Sequence, residues 1–405
     1  MNPVKILLFL MLACIAGRAT GAEPISLDAF EILEIRSERG PVPTRLDIHA
    51  FGRSFGLELS RNTSLLASLP GRQRSRIPAE DLFLKGSLSG IPGSWVRLNR
   101  IDGRFSGGFF DGKELYLIDR VAGFSGTRAA ATPADRTIVF RFGDLDFPGL
   151  IDHGGIDPGG DRKPEAQGSG YASFVEHLRE VVTLQGTAMF AVPVTVVSDV
   201  QFTAQHGASA ASVVAGRINF IDGIYSSQVG TGITLLHHEI LSDNDVLTAT
   251  DAADLLVGRF DAGNNLIQPG FRQFMRTGAG SSLPFQGLAH LFTGRNLDGS
   301  TVGIAYVGVL CSRSAGYGVD QDLNSETTSA LVFAHEVGHN FNAPHDGEVG
   351  RACEDETFRG IMNPSINGSE QFSNCSLEQM APEVAAASCL VEAIDSQAIF
   401  DDGFE

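Results

Sequence analysis

The chain has 405 residues, with 48 acidic against 30 basic side chains and a formal net charge of −18. That balance repels polyanions and excludes a nucleic-acid partner, while 43% hydrophobic residues and a mean hydropathy of +0.04 exclude wholesale disorder. The length exceeds one typical domain, so two folded units are expected.

Residues 1–22 read as an export signal: Lys5, an apolar run from Ile6 to Ala16, then Thr20, Gly21 and Ala22 ahead of Glu23. Met11-Leu12-Ala13-Cys14 only faintly resembles a bacterial lipidation box. A secreted protein is expected, periplasmic or on the cell surface if the source is bacterial. No later stretch approaches the roughly 20 apolar residues of a membrane span, so none is expected.

Residues 23–150 should be mainly β. Short apolar alternations such as Arg45 to Phe51 and Phe55 to Leu59 are separated by Gly-rich turns, and Gly makes up 47 of the 405 residues. Residues 151–170 (IDHGGIDPGGDRKPEAQGSG) are poor in large apolar side chains and read as a linker. The texture then changes to alternating strand and helix over 171–390: strand Val192 to Val200, helix Ala208 to Ser227, strand Gly232 to Ile240, helix Ala252 to Phe260 and strand Val302 to Leu310. This pattern implies an α/β unit with a mixed sheet flanked by helices. His237-His238 alternates faces on a strand and is expected at the surface of the sheet rather than as a ligand pair. Residues 391–405 are left as a tail.

Cys311, Cys353, Cys375 and Cys389 are confined to the last hundred residues. In an exported chain this even set reads as two disulfides, with three connectivities open.

The chemistry is concentrated in ALVFAHEVGHNFNAPHD, residues 330–346. His335 and His339, four apart, lie on one face of a helix and can share a metal ion. Glu336 sits about 100° around from His335, placed to reach a water rather than the metal. The helix must stop near Asn342, the non-Gly residue type most tolerant of a left-handed backbone, and His345 can then return to the same ion. Three imidazoles with one open position describe a catalytic zinc, since structural sites close all four positions. An isolated HExxH can be mere helix surface; the added His345 and Asp346 set this one apart.

HEVGHNFNAPHD resembles the extended zinc signature of the metzincin metallopeptidases, and its His345-Asp346 ending is similar to the adamalysin/reprolysin (ADAM-like) branch. Gly360-Ile361-Met362-Asn363-Pro364 resembles that branch's Met-turn, and His290 to Cys311 is similar to its substrate-side edge strand and first cysteine. The resemblance implies a metzincin domain of α/β (α+β) class with a mixed five-stranded sheet and an active-site helix. It implies one zinc ion on His335, His339 and His345, Glu336 as general base, Met362 packed beneath the ligands, and Asp346 and Asn342 supporting the loop. It also implies Cys311–Cys389 and Cys353–Cys375 pairing, and a secreted zinc endopeptidase acting on proteins or peptides. The stretch Asp47 to Asp119 resembles the family's pro-domain, so the chain's own N-terminal half is expected as an intramolecular inhibitor. A peptide would lie extended along Val302 to Gly308.

Three departures matter. Asn342 stands where the family usually has Gly. No Cys lies between Glu23 and Leu310, so latency has to come from steric cover rather than from a thiol on the zinc. Acidic residues of the family's usual calcium site are not evident, so calcium is not expected. Two competing classes fit less well. Gly52-Arg53-Ser54-Phe55-Gly56 matches a serine-hydrolase elbow, but Leu57-Glu58-Leu59 continues a strand where the elbow needs a helix. A non-catalytic zinc-binding protein on a metzincin scaffold would not need Glu336.

Overall fold

The computed structural model describes residues 25–34, 42–146, 155–156, 190–358, 360–365 and 370–393. The expected export signal, most of the expected linker and the tail beyond 393 lie outside them.

The N-terminal half is an eight-stranded antiparallel sheet. Its strands are β1 (Glu31–Ile32), β2 (Arg45–Ala50), β3 (Arg53–Arg61), β4 (Leu82–Leu88), β5 (Trp95–Ile101), β6 (Arg104–Phe110), β7 (Leu115–Arg120) and β8 (Thr137–Arg141), in the spatial order β1-β8-β7-β6-β5-β4-β3-β2. Two-residue turns set the register. Phe51-Gly52 and Asp102-Gly103 hold positive φ at both positions (51° and 69°; 50° and 75°), the backbone twist that joins adjacent antiparallel strands. They pair Ala50 with Arg53 and Ile101 with Arg104. Ser54, the middle of the elbow-like pentapeptide, lies on β3 with its Oγ 2.8 Å from His49 Nδ1.

The second half is a mixed sheet with helices. Strand β9 (Phe190–Ser198) leads through α1 (Val200–His206) into the long α2 (Ala210–Gln228) and back to β10 (Gly232–Ile240). Then come α3 (Ala252–Val257), α4 (Phe271–Thr277), β11 (Leu288–Thr293), β12 (Gly303–Ala305), β13 (Tyr317–Gln321), α5 (Glu326–Asn340), α6 (Asn374–Ala386) and β14 (Val391–Glu392). The order is β10-β9-β11-β13-β12, parallel except for the edge pair β12–β13. A sixth strand falls where a tail is expected: Val391–Glu392 pairs antiparallel with the start of β9.

Two expected elements are shorter in the fold. The helix over Ala252 to Phe260 stops at Val257, where Gly258 takes φ 94°. The strand over Val302 to Leu310 ends at Ala305, because Gly308 turns at φ 63° and the Gly308 and Val309 amides donate to the carbonyls of His339 and Asn340. His237 and His238 lie on β10 as expected but are buried, not at the surface. His238 Nε2 is 2.7 Å from Ser198 Oγ, and burial pushes its ring down to about 3. Asn62 is also buried and donates to Asn219 Oδ1 at 2.9 Å.

Candidate metal centre

Helix α5 forms because its flanks cap it. Ser325 accepts from the Thr328 amide at the start. At the end Asn342 holds φ 83°, its amide donates to His339 O and the Ala343 amide donates to Gly338 O. This is the paired bonding of a left-handed helix stop, so Asn342 does at this point what the sequence pattern asks of it. The chain then turns back and brings His345 to the helix.

The three imidazoles are buried, and one ligand atom from each lies within 4.8 Å of the others. His335 Nε2 and His345 Nε2 are 3.3 Å apart. Ligands about 2.0–2.1 Å from zinc at tetrahedral angles stand roughly 3.3–3.4 Å apart, so the spacing fits that ion. The far nitrogens set the tautomers: His335 Nδ1 donates to Ile361 O at 2.6 Å and His339 Nδ1 to Ala343 O at 2.8 Å. His345 Nδ1 instead meets a carboxylate, Glu348 Oε2, at 3.1 Å, and Glu348 Oε1 lies 3.6 Å from Arg351. All three Nε2 lone pairs therefore point inward, the arrangement a dication requires.

Glu336 is fully buried. Its carboxylate lies against Gly303 on the edge strand: a methyl group built there would stand 2.1 Å from Oε1. Met362 is fully buried, with Sδ only 2.5 Å from where a side chain at Gly338 would begin. Asp346 ties the ligand loop to α6, accepting from Ser373 Oγ at 2.6 Å, Ser376 Oγ at 3.1 Å and the Gly360 amide at 3.3 Å. Burial raises its carboxyl, against those hydrogen bonds. Cys311 is bonded to Cys389 and Cys353 to Cys375, and the second bridge spans the loop that follows His345.

One occupant of the cleft was not legible in the sequence. Ile156 lies along the edge strand, its amide donating to Ala305 O at 2.8 Å and its carbonyl accepting from the Val307 amide at 3.0 Å. Gly155 beside it approaches His339 so closely that a side chain there would begin 3.1 Å from Nδ1 and 2.1 Å from Val307 Cγ2. Sequence reasoning missed Glu348 and Ile156, and took Gly303 only as part of the edge strand. Only Glu348 had a local signal, an acid three residues after a candidate ligand.

A mixed sheet carrying a capped HExxH helix, a returning third histidine and a buried methionine beneath it has the layout of a zinc-peptidase domain of the metzincin type. Residues 190–373 match the family model of metallopeptidase family M12 (Reprolysin_5), so this part of the chain is similar to the adamalysin/reprolysin, ADAM-like metzincins. It is 24% identical over 420 residues to disintegrin and metalloproteinase domain-containing protein 10 of Bos taurus, covering 86% of this chain and 53% of that protein. The Homo sapiens counterpart is also 24% identical, over 415 residues, with the same coverage. Zinc metalloproteinase-disintegrin-like brevilysin H2a of Gloydius brevicauda is 32% identical over 163 residues, 39% of this chain and 35% of that protein. The chain spans about half the length of the first of these relatives. Among the described residues, no helix is long and apolar enough to cross a membrane.

Proposed function

We propose that the chain is an exported zinc endopeptidase that hydrolyses peptide bonds in proteins, with residues 1–22 as its signal and His335, His339 and His345 holding one zinc ion. The observation that carries this reading is the convergence of three buried Nε2 atoms beside the buried carboxylate of Glu336. Zinc in that cradle supplies Lewis acidity, which acidifies water and polarises a carbonyl. Glu336 accepts the proton of the attacking water on its carboxylate and returns it to the leaving amine. Gly303, having no side chain, lets that carboxylate stand at the edge strand where the scissile bond would lie. Ala305 O and Val307 N–H are the main-chain groups an extended peptide would use to align itself.

Those same two groups are engaged by Ile156, and Gly155 lies against His339. In this reading the segment at 155–156 keeps the enzyme latent by occupying the peptide track, a role that needs no cysteine. Denatured casein with and without a zinc chelator, offered to protein from which limited proteolysis has released the segment at 155–156, alongside metal analysis, tests the proposal. Cleavage abolished by the chelator, with one zinc per chain, is expected. Cleavage that survives Glu336→Gln in zinc-replete protein would sink the assignment of the base.

A further inference from the structure

The contact between the two halves does not have the form of a removable cover. Helix α2 is buried almost all round, 16 of its 19 residues, and carries no solvent face. It packs on β10 and the active-site helix on one side and on β5 of the N-terminal sheet on the other. One hydrophobic cluster runs through both halves, from Trp95, Leu117 and Phe140 to Val194, Phe220 and Phe333.

The fit is close. A side chain built at Gly216 would begin 3.0 Å from Asn99 Nδ2, and one at Gly223 2.7 Å from Arg97 Cγ and 2.8 Å from Trp95 Cε3, so helix and sheet meet closely at both glycines and something must shift to admit a side chain at Gly223. Trp95 stands edge-on to Phe220, ring centroids 6.0 Å apart. Several polar groups pair across this contact. Arg97 donates to Asp222 Oδ2 through Nε and a terminal nitrogen at 3.0 and 2.9 Å, and Asn219 donates to Asn99 Oδ1 at 2.8 Å.

The N-terminal half also reaches the catalytic helix. Asp119 Oδ2 accepts from Ser325 Oγ at 2.9 Å, from the Thr327 amide at 3.1 Å and from Thr327 Oγ1 at 3.0 Å. A buried carboxylate there satisfies an amide that has no partner within the helix and faces the positive end of the helix dipole.

We infer that residues 25–146 are a permanent half of the catalytic unit, an intramolecular partner that folds cooperatively with residues 190–393 and stays bound when the chain between them is cut. Activation then requires release of the short segment at the edge strand, while the β-rich half remains to hold α2 and cap the metal-binding helix. Such cooperativity does not depend on the chain being a protease.

Trp95 is the chain's one tryptophan and sits in the contact, so its fluorescence reports the interface directly. The test places a specific protease recognition sequence between residues 156 and 190 of the full chain and cuts it in native buffer. The fragments are expected to co-elute at the mass of the uncut protein. In the uncut protein, thermal transitions followed by Trp95 fluorescence and by helix circular dichroism should coincide. Gly223→Leu, which wedges the interface, should lower both transitions together by roughly 3–10 °C. Fragments that separate in native buffer, or a Trp95 transition that moves alone and precedes loss of helix, would overturn the inference. None of these readouts involves peptide cleavage, so failure here and failure of the protease reading are distinguishable.

Discussion

Gly303→Ala adds one methyl group to the edge strand and touches no metal ligand. The added carbon would stand 2.1 Å from Oε1, 2.7 Å from Cδ and 2.9 Å from Cγ of Glu336, all inside ordinary contact distance. Three atoms of the same arm are hit, so rotation of the carboxylate alone cannot relieve the overlap and the arm must shift by about 1 Å. Displacement of a reacting group on that scale costs on the order of 100-fold in rate. The backbone does not object, since Gly303 is not among the residues with positive φ. The expected result is kcat/KM lowered about 100-fold with full zinc content, and a stability loss of about 1–3 kcal/mol from overpacking. That stability loss should vanish in a Glu336→Ala background, where the methyl group has room, giving a coupling measurable in a double-mutant cycle. A Gly303→Ala variant with wild-type kcat/KM, or an unchanged stability loss in the double variant, would refute the placement of the carboxylate.

The remaining expectations concern the rest of the site and its scaffold. Glu348→Ala should weaken zinc binding about 10–100-fold in competition with a chromophoric chelator, because His345 loses the carboxylate that orients its ring; unchanged affinity would remove Glu348 from the site. The disulfides close segments of 78 and 22 residues, so Cys311→Ser with Cys389→Ser should cost about 4.5 kcal/mol and Cys353→Ser with Cys375→Ser about 3 kcal/mol in urea melts. The reverse order would mean that chain entropy is not the governing effect. Burial raises the Glu370 carboxyl to about 6 from an ordinary 4.5. The folded state therefore keeps a proton that the unfolded chain has released between those values, so this contribution is complete below about pH 4.5 and is lost as pH rises through 6. Glu370→Gln should stabilise the protein by roughly 1–2 kcal/mol near pH 7 and by almost nothing near pH 4; equal effects at both pH values would exclude the mechanism.

Much of the fold was legible because its signals are local. Period-two alternation marks β3, whose Phe55, Leu57 and Leu59 are buried while Ser54, Glu58 and Ser60 are exposed. Helical spacing marks α2 to within two residues at each end. The same local reading overextended the edge strand, because Gly308 and the Asn340 carbonyl end it through a contact made across more than 30 residues. It also left His238 at the surface, since alternation assigns faces of a strand and not what covers them.

By itself, the spacing of His335, His339 and His345, with Asn342 between the last two, predicts that three imidazoles meet, and in the structure one ligand atom from each lies within 4.8 Å of the others. A helical turn is a fixed length, so four residues suffice to align two imidazoles, and one left-handed residue suffices to return a third. Only the tertiary structure decided what surrounds those imidazoles: Gly303 against Glu336, Glu348 behind His345, Gly155 and Ile156 along the edge strand, Asp119 at the head of the helix. Each is a close approach between segments distant in the chain or a turn of loop with no repeat, and neither kind of contact leaves a period or a spacing in the sequence.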